Sequence, residues 1–182
     1  DGSGLMRVSE GTYPDLSPNA DKIVYQKENE GIWIMNRDGS GDHQIVSDTT
    51  ASYPAWSPDG EYISCVKGSY KLYIHKKGGE LARYIDIINE LNNNDSLRFN
   101  VGEGHSWCTT DSNSIYITVY FIKNWIRKIS LIKFNSNNDS LEISYRNSDA
   151  GYIKVYNNEL IGYDSNWLVS DLDGNNKWYI EP

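Results

Sequence analysis

The chain is short of positive charge, cysteine, histidine and long apolar runs, and each shortage closes off a class of function. Lys and Arg number 17 against 25 Asp and Glu, a net charge of −8. That sign repels polyanions, so nucleic acid and anionic lipid surfaces drop out as partners. No stretch reaches the roughly 18 uninterrupted apolar residues of a spanning helix, so no membrane insertion is expected. The opening Asp1-Gly2-Ser3-Gly4 has neither the basic nor the apolar region of a signal peptide. The three histidines, His43, His75 and His105, fall in different contexts without the short spacings of a metal site. There is no Gly-x-Ser-x-Gly elbow, no phosphate-cradling glycine loop, and no Ser/His/Asp set singled out by spacing. Asp171-Leu172-Asp173-Gly174 opens like a calcium loop, but no glutamate closes it. No catalytic residue, metal or cofactor is therefore expected. The two cysteines, Cys65 and Cys108, read as free buried thiols, with a disulfide as the alternative.

What the chain does contain is aromatic residues, 13% of the total within 38% hydrophobic, enough for a folded core, and a repeat. Asp-Gly-Ser-Gly stands at Asp1 and again 37 residues later at Asp38; Tyr13-Pro14 returns 40 residues later as Tyr53-Pro54. That period is the size of one four-stranded propeller blade. β-branched and aromatic residues alternate with polar ones between turn signals, which predicts four strands, a to d, per unit. The first unit, 11–48, places them at 13–16, 22–26, 32–36 and 44–47; the second, 53–86, at 54–56, 61–66, 71–75 and 82–86. A third unit, 105–146, is announced by Trp107, which precedes Ile115 by eight residues where Trp56 precedes Ile63 by seven. The fourth spans 152–181. Residues 87–103 read as a polar connection with a helical turn at 87–91, and residues 5–8 as strand d of a preceding blade. Ser57-Pro58-Asp59-Gly60 is a tight turn closed by glycine at positive φ; its counterpart Ser17-Pro18-Asn19-Ala20 lacks the glycine and is expected to be looser.

Tyr-Pro-Ala-Trp-Ser-Pro-Asp-Gly at 53–60, followed by an Ile/Val strand, and Ile-Trp-Ile-Met-Asn-Arg-Asp-Gly-Ser-Gly at 32–41 resemble the TolB-type WD40-like propeller repeat. The match is closest over 11–85. The resemblance implies an all-β propeller of four-stranded antiparallel blades, about four units plus one N-terminal strand, within a larger propeller or one that closes by edge association of copies. Relatives of this kind include periplasmic scaffolds, propellers that gate prolyl-oligopeptidase-type peptidases, and an oligogalacturonate lyase whose metal is held by histidines. Most work outside the cytoplasm, and the same is expected here. TolB is similar only through its propeller, since nothing here corresponds to its separate α/β domain.

In an antiparallel meander the a–b and c–d turns emerge at one end of a blade and the b–c and d–a loops at the other. The Ser-Pro-Asp-Gly and Asp-Gly-Ser-Gly turns then share a regular face, and the irregular loops share the opposite one, where binding is expected. The residues expected to contact a partner are Glu28, Glu30, Tyr70, Glu103, His105, Trp125 and Asp164. Trp56 and Trp107 share one repeat position, Trp33 and Trp167 another, so these four are assigned to packing between blades. Trp125, off the pattern, is assigned to the surface. The chain reads as a non-enzymatic binding or scaffold module for a protein or peptide. Carbohydrate is a second partner class, a homo-oligomer a further association, and a propeller belonging to a peptidase, hydrolase or polysaccharide-acting enzyme the alternative.

Overall fold

The computed structural model describes residues 7–68, 71–86, 98–107, 113–123, 126–135, 137–138, 140–147, 152–156, 159–163, 167–171 and 177–180. Side chains are described through residue 86, at Trp107, over 113–116 and at 133, 135, 137, 138 and 140. The described residues hold no helix. β1 (Thr12–Leu16), β2 (Lys22–Lys27), β3 (Gly31–Asn36) and β4 (His43–Val46) form one antiparallel sheet. β5 (Ala51–Trp56), β6 (Tyr62–Lys67), β7 (Lys71–Lys76) and β8 (Leu81–Asp86) form the next. β9 (Arg98–Trp107), β10 (Ser114–Lys123), β11 (Ile126–Asn135) and β12 (Ser140–Asn147) form the third, and β13 (Tyr152–Tyr156), β14 (Glu159–Tyr163), β15 (Trp167–Asp171) and β16 (Lys177–Ile180) the fourth. Each sheet runs in simple sequence order. The first strands of consecutive sheets touch, β1 with β5 and β5 with β9, and so make the inner wall.

Alternation along its strands gives the second sheet two apolar faces, one buried against the first sheet and one against the third. Val24, Ile32, Ile34 and Val46 of the first sheet pack on Ala51, Trp56, Ile63 and Cys65 of the second. Val66, Leu72, Ile74 and Ile85, from the other face of the second, pack on Trp107 and Ile115 of the third. Burial pushes the Cys65 thiol up to about 12, so it is a packing residue and not a reactive one.

Two expectations need correcting. The third sheet begins at Arg98, so 98–104 is strand and not connecting loop, and its register with β10 carries an irregularity between the Ile117 and Val119 pairings. Gly102, Glu103 and Gly104 fall there, and a bulge with two glycines hides the two-residue period that marks a strand. The turn at Ser17 is as tight as its glycine-closed counterpart. Ala20 N–H donates to Ser17 O at 2.8 Å and Gly60 N–H to Ser57 O at 2.9 Å, with Ala20 held at φ 57°. The serine hydroxyl secures both turns, since Lys22 N–H and Tyr62 N–H donate to Ser17 Oγ and Ser57 Oγ at 2.9 Å each.

The expected helical turn at 87–91 lies outside the described residues, as do residues 5 and 6. Arg7 and Val8 pair with none of the described strands, yet Val8 takes a repeat-equivalent place. A Cβ on Gly39 would sit 3.1 Å from the Val8 Cβ, and one on Gly79 would sit 2.5 Å from the Ile45 carbonyl oxygen. Val8 meets the c–d turn of the first sheet as Ile45 of β4 meets that of the second.

Candidate binding face

The turns of the regular face keep their polar groups to themselves. Asp38 accepts from Ser40 N–H at 2.9 Å and Ser40 Oγ at 2.6 Å, which holds its carboxyl below the usual carboxylate value. Asp59 accepts from Ser57 Oγ at 2.6 Å and Glu61 N–H at 3.0 Å, and Asp21 from Ser17 Oγ at 2.9 Å. Lys77 pairs with Glu61 at 2.8 Å.

The irregular face differs. The β2–β3 loop, residues 28–30, carries Glu28 and Glu30, both exposed and with no side-chain partner among the described residues. Asn29 holds φ 60° at its tip, and Gln44 of β4 donates to the Glu30 carbonyl, fixing the loop to the sheet. A cleft of about 510 Å³ opens beside it, lined by Ser9, Glu10, Gly11, Thr12, Lys27, Glu28 and Glu30. At its wall Lys27 Nζ donates to Asp42 at 2.8 Å and lies 3.5 Å from the Trp33 ring centroid. Tyr25 OH donates to Asp42 at 2.6 Å and meets Ser9 Oγ at 3.0 Å. Burial pulls the Lys27 ammonium down and the Asp42 carboxyl up, but their mutual bond and Tyr25 outweigh it; Lys27 stands above its ordinary value and Asp42 below. Tyr25 is raised, first by burial and then by its bond to Asp42. The ion pair is therefore held firmly as wall.

Trp33 belongs to neither of the two described clusters, which flank the second sheet. It lies on the side of the first sheet turned away from the second, half-buried beneath Lys27. Trp56 and Trp107 are each 6% exposed and do fill the junctions between sheets.

Of the expected contact residues, Glu28 and Glu30 are brought together at this cleft. Glu103 and His105 lie within strand β9 and not in a loop; His105 pairs with Ile117. Tyr70, Trp125 and Asp164 lie outside the described residues. His43 is exposed in β4 and His75 buried in β7, and no group of three His, Cys, Asp or Glu among the described residues could hold a metal ion.

Sequence reasoning missed Tyr13 as a surface group, taking Tyr-Pro only as a period marker; its counterpart Tyr53 is half-buried and packs against the core between the second and third sheets. Both hold left-handed backbone, φ 51° and 52°, where β1 and β5 each carry one extra residue in their register. Their ring centroids are 4.3 Å apart at 53°, and Tyr13 is 47% exposed. Both follow closely on the start of an inner strand, so they stand toward the end of the wall that carries the 28–30 loop.

No family model matches the chain, and no curated protein matches it. Solved structures do. The β-propeller domain of the Trilobed protease from Pyrococcus furiosus, described as having an open velcro topology, superposes over 93% of this chain at 15% identity and a TM-score of 0.64, with 56% of its own length covered. An oligogalacturonate lyase from Vibrio parahaemolyticus matches 94% at 11% identity and a TM-score of 0.69, with 52% of its length covered. TolB from Acinetobacter baumannii matches 94% at 15% identity and a TM-score of 0.54, with 43% of its length covered. The four sheets are thus blades of a β-propeller, as in TolB, and the chain spans about half the length of these three proteins.

Proposed function

We propose that this propeller is a non-enzymatic binding module that engages a protein or peptide on its irregular face, outside the cytoplasm as the repeat resemblance implies. One asymmetry carries the reading. The described aspartates of the Asp-Gly turns are spent on their own turns, whereas Glu28 and Glu30 are exposed and unengaged beside an open cleft. Exposed, unpaired carboxylates steer and orient a partner at little cost to the fold. Trp125, which sequence analysis assigns to the surface, is the aromatic anchor expected alongside them.

Selection of binders from a displayed random-peptide library tests this. Glu28→Ala with Glu30→Ala should weaken the selected peptides and so should Trp125→Ala, the latter by roughly 1 to 3 kcal/mol, while Asp38→Ala should leave affinity unchanged. Binders lost on Asp38→Ala and kept by the loop substitutions would reverse the assignment of faces. The enzyme alternative draws support from the likeness to the lyase; turnover of a polysaccharide or peptide by the chain would install it in place of the binding module.

A further inference from the structure

We propose that Tyr13, Pro14 and Tyr53 form a shelf at the mouth of the inner wall that docks a basic segment of a partner protein, its cation lying on the Tyr13 ring beside the carboxylates of Glu10, Glu28 and Glu30. This rests on the irregular face being the working face. The exposed part of the shelf is Tyr13, 47% exposed, and Pro14; the Tyr53 ring, half-buried against the core between the second and third sheets, backs Tyr13 at 4.3 Å. Thr12, which lines the acidic cleft, immediately precedes Tyr13, so the shelf begins one residue along β1 from the cleft.

The occupant follows from charge and from what the fold does elsewhere. Three glutamates surround the cleft, Arg7 of the chain itself already pairs with Glu10, and the net charge of −8 favours a basic visitor. Twice the chain places a lysine on an aromatic ring with an aspartate in reach: Lys27 on Trp33 with Asp42 at 2.8 Å, and Lys67 on Tyr73 with Asp48 at 3.6 Å. The Tyr13 shelf offers the ring and the carboxylates, and the visitor brings the cation. Tyr13 also keeps a backbone conformation that L residues disfavour, and glycine would serve the bulge better if its ring had no use.

The test is fluorescence anisotropy of a short alternating Gly/Arg peptide with the 182-residue chain, against the same peptide with citrulline, or with Glu, in place of Arg. The Arg peptide should bind and the others should not. Tyr13→Gly suits the positive φ and removes the ring, so it should weaken binding roughly two- to fivefold without loss of thermal stability. Glu28→Gln with Glu30→Gln, which touches no core, should weaken it and flatten its salt dependence. Absence of Arg-peptide binding, equal binding of the citrulline peptide, or indifference to both variants would each overturn the shelf. Library-selected peptides that are lost on Glu28→Ala with Glu30→Ala but carry no basic residue would overturn the shelf alone; peptides that depend only on the turn face would overturn both readings.

Discussion

Ala20 shows how a single side chain can sit against local preference when its surroundings decide the conformation. It holds φ 57°, where glycine is at ease and alanine is not, because Ser17 fixes the turn from both ends. Ala20→Gly should therefore raise stability by about 1 kcal/mol, read as a higher denaturation midpoint; a lower one would mean that the turn is not strained. His75 is the other residue under tension. It is 4% exposed, its Nδ1 meets the Gly79 carbonyl at 3.0 Å, and its Nε2 has no partner among the described residues. Burial holds its pKa below the ordinary 6.5; the Gly79 bond opposes this and the Lys67 charge adds to it. Because the folded pKa is depressed, the unfolded chain takes up the proton first as pH falls. The stabilisation is fully present above 6.5 and is lost below it, down to the folded pKa. Urea midpoints measured from about pH 7 to about pH 5 should fall for the native chain and fall less for His75→Gln; parallel curves would exclude His75 as the source.

At the scale of the element, the inner strands hold neighbouring sheets together by specific polar bonds as well as by packing. Asp15 of β1 accepts the Trp56 N–H of β5 at 2.7 Å, and Trp107 Nε1 donates to Ser64 Oγ at 2.8 Å. Trp56 Nε1 has no such partner among the described residues, since Val24 of β2 stands where Ser64 of β6 does. Asp15→Ala should cost roughly 1 to 3 kcal/mol and Ser64→Ala about 1 kcal/mol, the cost of a buried donor left with fewer acceptors; denaturation of the two variants checks both. Strands like β2, β3, β6 and β7 were legible because apolar residues mark both faces and a turn residue closes each end. β9 was not, because Gly102-Glu103-Gly104 interrupts the alternation where the strand bulges. Glu28 and Glu30 were legible from loop parity alone. The Tyr13–Tyr53 shelf was visible in sequence as a repeated Tyr-Pro, but nothing in composition says that a residue before proline will turn to positive φ or that the ring of Tyr13, unlike that of Tyr53, will be exposed.

Across the whole molecule the described cores are two separate layers, one on each side of the second sheet, and no residue belongs to both. A stack of this kind stores its stability in nearest-neighbour junctions, which makes it possible to vary the inner wall and the loops without disturbing remote packing. The consequence is measurable as additivity. Ile32→Val thins the junction of the first and second sheets and Ile115→Val that of the second and third; both side chains are fully buried, and each change should cost about 1 kcal/mol. Combined, the two should add to within about 0.5 kcal/mol, because they share no packing partner. Ile32→Val with Ile63→Val lies within one layer, so that pair should depart from additivity by about 0.5 kcal/mol or more. If the distant pair couples as strongly as the close one, strain passes through the second sheet from one junction to the other, and a partner held at the irregular face of one blade would be felt by the next.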